Sequence, residues 1–553
     1  MQLFKSFNST GNLLTILVFV LVMCTTACSA LLPKSAISNQ ADTNSRKPNF
    51  VFIAVDDLNI YNSILGDEAG SFLRKVYPDD KLRQQVIDKL TPNLAKLAKQ
   101  GVSFRNTYSA SPLCGPSRTA LMTGVPPHIS GYYKHDRHFR AYETLTNVTT
   151  LPQYLKQHGY YTSGIGKVFH KGRSYLDRGY FSDWPDQLFS WDHWVERNVG
   201  TSSQVEAMIT KQEQVSKYWD NPGDKSKNFS RFGVTSIPTE FSNDYVNAQH
   251  IAQLILTGRS EINDVRGKKH SVTLANDKPY FLAAGIFAPH LPWVVEQKYY
   301  DMFPQSEMAI NKDLLAWVRA DLTDMSKHGQ KMTASTHFTD LLDYGVSLDG
   351  QTGDVNAWKA IFQAYLATVA YADSTIGVLL DAINRNPQKD NTVVVLWSDH
   401  GYHLGDKNWT GKTSLWEAAN RANLIIADPR QPGQHGKQVN APVSLQDIYP
   451  SIMAMAELPK NQAVYGYDLT PLVKDVNTQW TKAVLNTFQQ GNHALRTNEY
   501  RYIRFRNGDQ ELYNLIQDPL ELTNLANRPD YKIRLKQFSG LLDRELKRKP
   551  NDF

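Results

Sequence analysis

Three sets of residues in this 553-residue chain have the types and spacing that chemistry requires. The first is Cys114. Of the three cysteines, Cys24 and Cys28 fall in an N-terminal leader, so Cys114 has no disulfide partner in the exported body. An unpaired thiol there is either buried and inert or chemically engaged. It sits in Ser111-Pro112-Leu113-Cys114-Gly115-Pro116-Ser117-Arg118, with Arg118 one helical turn beyond the sulfur. The second set is acidic. Asp56-Asp57 follows the apolar run Asn49 to Val55, and Asp399-His400 follows Asn391 to Trp397. Adjacent carboxylates at the end of a buried strand repel one another, and a hard divalent ion is the simplest remedy. A turn cap would explain an isolated Asp-Asp, but a second acidic site after another strand weighs against it. The third set is basic: Lys167 and His170 follow the run Tyr160 to Ile165, and His290 follows Tyr280 to Ile286.

The elements that must position these residues are short apolar runs separated by helical patterns. The four runs read as buried strands. Thr91 to Gln100, with Pro92 at its first helical position, and Val355 to Arg385 read as helices. Alternation of this kind predicts an α/β architecture, a large mostly parallel sheet sandwiched by helices, with ligands at the carboxyl ends of the strands. The acidic and basic sets, Asp56-Asp57, Lys167 with His170, His290 and Asp399-His400, fall at such ends. From Arg496 to Asn527 short segments read as an antiparallel meander, so a smaller C-terminal α+β domain on an antiparallel sheet is expected. The boundaries are residues 48–475 for the catalytic domain and 476–553 for the C-terminal one. Segments 200–275 and 304–354 read as polar, irregular insertions shaping a cleft.

Lys5 followed by the apolar run Leu13 to Met23 is too short to span a bilayer and reads as a signal peptide within residues 1–30. Thr25-Thr26-Ala27-Cys28-Ser29-Ala30 allows cleavage before a lipidated Cys28, which is favoured, or after Ala30. Residues 31–47 are then a polar tether. The expected location is the periplasm, or the outer membrane through a lipid on Cys28. Hydrophobic content of 41% supports a large core, and a net charge of +6 without blocks of like charge excludes a nucleic-acid-binding tail. The modest positive charge suits an anionic substrate.

The segment around Cys114, continued by Thr119-Ala120-Leu121-Met122-Thr123-Gly124, resembles the sulfatase signature C-x-P-x-R followed by a threonine-glycine turn. Gly164-Ile165-Gly166-Lys167-Val168-Phe169-His170, the run Phe281 to Pro292 ending in Pro289-His290, and Asp399-His400-Gly401 leading through Trp409 to Lys412 resemble further segments of that family. They are similar to its iduronate-2-sulfatase branch, within the alkaline-phosphatase superfamily. The resemblance runs from Pro48 through Asp518-Pro519. It implies that a maturation enzyme oxidises Cys114 to Cα-formylglycine, whose hydrate attacks sulfur, giving a covalent sulfated enzyme. One calcium ion would be held by Asp56, Asp57, Asp399 and His400 together with position 114. Arg118 would hold the hydrate, Lys167 and Lys412 would bind sulfate, His290 would protonate the leaving oxygen, and His170 would act as base. Phe287 and Ala288 are more apolar than the family pattern, implying a different pocket, and Asn420-Arg421-Ala422-Asn423 departs from the usual Thr-Arg-x-Pro.

The implied substrate is a sulfated polysaccharide or its oligosaccharides, whether an algal galactan such as carrageenan, ulvan or a glycosaminoglycan. His135, Arg137, His138, Trp293, His403 and Trp409 are candidate sugar contacts. Two other readings stay open: a phosphonate or phosphate-ester hydrolase of the same superfamily, and a non-catalytic binder of sulfated glycans.

Overall fold

A computed structural model describes residues 47–170, 186–197, 232–264, 267–334, 342 and 354–550. The leader, Cys28 and the tether up to residue 46 lie outside the described residues, as do residues 200–231 and 265–266 of the first expected insertion and 335–341 and 343–353 of the second. In chain order the elements used below are β1 (Asn49–Val55), α1 (Pro92–Lys99), β2 (Val102–Tyr108), α2 (Cys114–Thr123), β3 (Tyr161–Gly166), β4 (His193–Val195), α3 (Asn243–Thr257), β5 (Tyr280–Ile286) and α4 (Asp354–Arg385). They continue with β6 (Thr392–Ser398), β7 (Arg421–Ala422), β8 (Leu424–Ala427), β9 (Gln438–Ser444), β10 (Val484–Thr487), β11 (His493–Arg496), β12 (Tyr500–Arg504), β13 (Gln510–Asn514) and α5 (Lys532–Leu546).

The main sheet has the order β7-β2-β8-β6-β1-β5-β3-β4, with β9 paired to β2. Strands β6, β1, β5, β3 and β4 run parallel, and the antiparallel pairs are β6 with β8 and β2 with β7 and β8. The architecture is the α/β sandwich expected from the sequence. In β1, Val51, Ile53 and Val55 pack under α1, α3 and α4, while Phe50, Phe52 and Ala54 pack on the opposite face. Both faces are therefore covered, which is why β1 is a continuous apolar run and not an alternating one.

The expected irregular insertions are only partly so. Residues 243–257 form α3, which buries Ala248, Ile251, Leu254 and Ile255, and Lys312–Ala320 is also helical. The polar residues between those apolar positions hid a helical period that burial against α4 and the sheet makes decisive. At the C-terminal end, β10 to β13 form a four-stranded antiparallel sheet. One face packs Ala494, Ile503 and Tyr513 against Met325, Leu415 and Trp416, and the other packs Tyr500, Tyr502 and Leu512 under α5.

Candidate active site

The ends of β1, β3, β5 and β6 converge on the N-terminus of α2, where Cys114 is fully buried as the first helical residue. Unsatisfied amides at a helix N-terminus favour negative charge there. The strands are brought close by glycine. A Cβ on Gly166, whose φ is +77°, would lie 2.0 Å from the Gly285 carbonyl oxygen, so only glycine allows β3 to deliver Lys167 beside β5. Asp57 takes a left-handed φ of 59°. It is fixed there because its amide donates to Asp399 Oδ1 at 3.0 Å and its carbonyl accepts from Tyr365 Oη at 2.8 Å.

Three carboxylates and three cations meet without a charge left over. Arg118, with no solvent exposure, donates to Asp56 Oδ1 at 2.9 Å and Asp399 Oδ2 at 3.0 Å. Lys167 pairs with Asp56 Oδ2. Lys412 Nζ stands 2.6 Å from Asp57 Oδ1 and 2.8 Å from Cys114 Sγ. Burial alone would push Asp56 up, but Lys167 and Arg118 hold it well below the usual carboxylate range. Asp57 is likewise lowered, against its burial, by Lys412 and His290. Burial pushes the Cys114 thiol well above its ordinary value, so the unmodified residue is a neutral thiol and a weak nucleophile.

The donor set fits a hard divalent ion through its carboxylates. Ligand atoms of Asp57, Cys114, Asp399 and His400 all lie within 4.8 Å of one another, as do those of Asp56, Asp57, Cys114 and His290. Carboxylate oxygens are the ligands such an ion takes. A neutral thiol is not, whereas an oxygen at position 114 would be. His400 directs Nδ1 to the Gly401 carbonyl at 2.9 Å and Nε2 to Cys114 Sγ at 3.3 Å, a bonding pattern that holds it beside position 114.

Every residue nominated for catalysis is gathered at this centre. The hydrogen bonds of Arg118 run to Asp56, Asp399 and the Lys167 and Val168 carbonyls, so it organises the acidic cluster beside position 114. His290 Nδ1 lies 2.6 Å from the Leu291 carbonyl, which turns Nε2 toward Asp57 Oδ2 at 3.9 Å. Burial, with Lys167 and Lys412, lowers it to about 4. His170 stacks on His135 with ring centroids 3.8 Å apart. Burial and that neighbour keep His170 well below its ordinary value.

The candidate sugar contacts divide. Trp293, 1% exposed, donates Nε1 to the Pro289 carbonyl and belongs to the core. His403 is fully buried between Asp406 and Ser414, and His138 is buried beside Phe139. None of these three can touch a sugar. Arg137 is exposed, over the Tyr142 ring. Trp409 is half-buried, with Nε1 bonded to the Lys412 carbonyl at 2.7 Å. His135 sits in the centre itself, accepting from the Gly115 amide at 2.8 Å. Sequence reasoning missed Asp244, at the start of α3, whose two carboxylate oxygens accept from the Phe287 and Ala288 amides at 3.0 and 2.9 Å and so hold the His290 loop. An aspartate in a first helical turn carries no sequence signal of such a role.

A buried cysteine at a helix N-terminus, buried carboxylates suited to a divalent ion, and lysines converging on both suit the hydrolysis of anionic esters. Residues 48–458 match the family model described as sulfatase, and residues 405–548 match that of the N-sulphoglucosamine sulphohydrolase C-terminal region. A sulfatase of Formosa agariphila is 30% identical over 500 residues, 90% of this chain and 86% of the relative. A phosphonate monoester hydrolase from Silicibacter pomeroyi shares the fold with a TM-score of 0.67 at 19% identity, over 92% of this chain and 96% of its own. So does Ps i-CgsB in complex with k-i-k-neocarrahexaose, with a TM-score of 0.58 at 20% identity, over 92% and 95%. The chain belongs to the sulfatase family and is a sulfuric ester hydrolase.

Proposed function

We propose that this sulfatase removes sulfate ester groups from a carbohydrate, a sulfated polysaccharide or oligosaccharides cut from it. The observation that carries the reading is the placement of Lys412 Nζ 2.8 Å from Cys114 Sγ, with Lys167 and His290 facing the same acidic cluster. A tetrahedral sulfate brought to position 114 meets two fixed ammonium groups and an imidazole. The fold neighbour Ps i-CgsB is bound to a carrageenan-type oligosaccharide, which makes sulfated galactans the first class to test, followed by ulvan and glycosaminoglycans.

In this reading a maturation enzyme converts Cys114 to formylglycine, which supplies a hydrated aldehyde oxygen as nucleophile. Asp56, Asp57, Asp399 and His400, together with position 114, would hold one calcium ion, which would supply positive charge at the sulfate site. Lys167 and Lys412 bind the sulfate oxygens and leave their carboxylate partners to do so. His290, its Nδ1 fixed on Leu291, carries a proton on Nε2 to the departing sugar oxygen. Burial is the larger cause of the lowering of His290, and an anionic sulfate engaging both lysines would offset their part of it, shifting the imidazole toward its acid form. His170, kept neutral by burial, has a lone pair to take a proton from position 114. The signal peptide directs export, to the periplasm or to the outer membrane through a lipid on Cys28.

The test is inorganic sulfate release from carrageenan, ulvan and glycosaminoglycan oligosaccharides set beside hydrolysis of a phosphonate monoester. Faster turnover of a sulfated sugar supports the reading. Faster turnover of the phosphonate would assign the site to the neighbouring activity of the superfamily.

A further inference from the structure

We infer that the chain has a second binding site for sulfated polysaccharide, a cationic groove between α5 and the end of the C-terminal sheet, remote from position 114. The inference rests on the proposal that a sulfated polymer is the substrate. The groove encloses about 510 Å³. Lys482, Arg534 and Arg544 line it over a floor of half-buried Phe538 and Leu541. Arg534 lies over the Tyr500 ring, 4.6 Å from its centroid. The Arg534 side chain stays 45% exposed, and Glu499 stands 3.9 Å from it at the exposed rim.

The charge is concentrated. Between Lys532 and Lys549 there are seven Lys or Arg residues and two acidic ones, so this segment carries a net +5 of the whole chain's +6. The two acids already pair with arginines, Asp543 with Arg504 at 2.8 Å and Glu545 with Arg548 at 3.4 Å. A polymer bearing a sulfate on successive sugars complements such a surface, because guanidinium forks match tetrahedral oxyanions and the apolar floor suits the CH face of a sugar ring.

The sheet itself separates this groove from the reaction centre. On β12, Arg501 and Ile503 face the body, toward Glu417 and Trp416, whereas Tyr500 and Tyr502 face α5. A sugar held in the groove cannot also be the one at position 114. The groove instead holds a distant stretch of the same chain and raises the local concentration of sulfate esters at the site.

The experiment uses full-length Cys114→Ala protein, which does not turn over, run through gels containing carrageenan or unsulfated agarose. Expected is retardation by carrageenan only, fading as ionic strength rises beyond about 0.1 M. Arg534→Gln/Arg544→Gln/Lys482→Gln should bind at least about tenfold more weakly, and Arg534→Lys/Arg544→Lys should recover most of the loss. Should the Gln variant melt early, amide exchange in the Cys114→Ala chain answers the same question: carrageenan slows exchange across Lys532–Leu546, or the groove is not the site. Unchanged retardation in a folded Gln variant would overturn the inference, as would equal binding to phosphatidylglycerol vesicles, which would assign the patch to a lipid surface. Binding is read without catalysis, so retention of the Cys114→Ala chain together with failure of the matured wild-type protein to release sulfate from carrageenan sinks the substrate reading and leaves the groove standing.

Discussion

The reaction centre and the joint that holds the C-terminal sheet both bury carboxylates against guanidinium groups, three to five residues apart in sequence at Lys412 and Leu415 to Glu417. At the joint, Glu417 accepts from Tyr108 Oη at 2.6 Å and from Arg501 Nη2 at 2.5 Å, and its own amide donates to Glu521 at 2.7 Å. Arg501 also reaches the Leu415 carbonyl at 3.0 Å. Those bonds close on one another, and burial notwithstanding, Arg501 and Arg496 hold Glu417 down at about 2. At the reaction centre the groups point to a shared focus at position 114, and two of them, Lys412 and His290, keep 16% and 27% of their side chains exposed. Buried charge by itself is therefore no mark of function. What distinguishes the two is a reactive group at the focus and an opening through which substrate reaches it.

The comparison breaks most sharply at position 114. Cys114→Ala should lower sulfate release by at least about 10⁴-fold with little change in melting temperature. A stable, fully active variant would make the centre structural after all. Glu417→Gln should do the opposite, costing about 3 kcal/mol of stability by removing the carboxylate closest to Arg501 and leaving that buried guanidinium only Glu521, at 3.1 Å, while the folded fraction keeps its kcat. Denaturant unfolding and kinetics on one preparation separate the two effects.

Lys412→Ala sharpens the comparison, because Lys412 pairs with Asp57 at the centre yet lies only five residues before Glu417 of the joint. An expected loss of about 10²–10³-fold in kcat/KM, with unfolding unaltered, places it with the chemistry; a stability loss like that of Glu417→Gln would place it with the joint. The smallest effect is conditional on pH. His250 is buried against Ser260 and lowered to about 4, chiefly by burial. Its unfolded form titrates near 6.5, so its contribution is complete above that value and is lost as pH falls through about 4. That is worth roughly 3 kcal/mol at the acid end. His250→Gln should flatten stability against pH between these limits and leave pH 7 nearly unchanged.

Much of this was legible in the sequence for reasons that the fold makes plain. The four central strands are buried on both faces, so their apolar runs locate them to within one residue, and the ionisable residues at their ends mark where the site must lie. Burial of individual side chains was not legible. Trp293 and His403 carry the residue types of sugar contacts, yet the first fills the core and the second is enclosed by Asp406 and Ser414. The role of Arg118 also depended on partners 62 and 281 residues away. The departure at Asn423 acquires a meaning in three dimensions: its amide donates to the Leu58 and Asn59 carbonyls at 3.0 and 2.9 Å, and its oxygen accepts from Asn62 at 2.8 Å, tying the loop after Asp57 to the strand beside β6.

The most direct test of the central claim joins mass to activity at a single residue. Protein produced with and without a formylglycine-generating enzyme would be digested, and the peptide bearing residue 114 weighed beside sulfate release from the same samples. The account predicts that the mass loss of a thiol exchanged for an aldehyde appears at position 114, and that activity scales with the modified fraction. Sulfate release by protein whose Cys114 is wholly unmodified would contradict it.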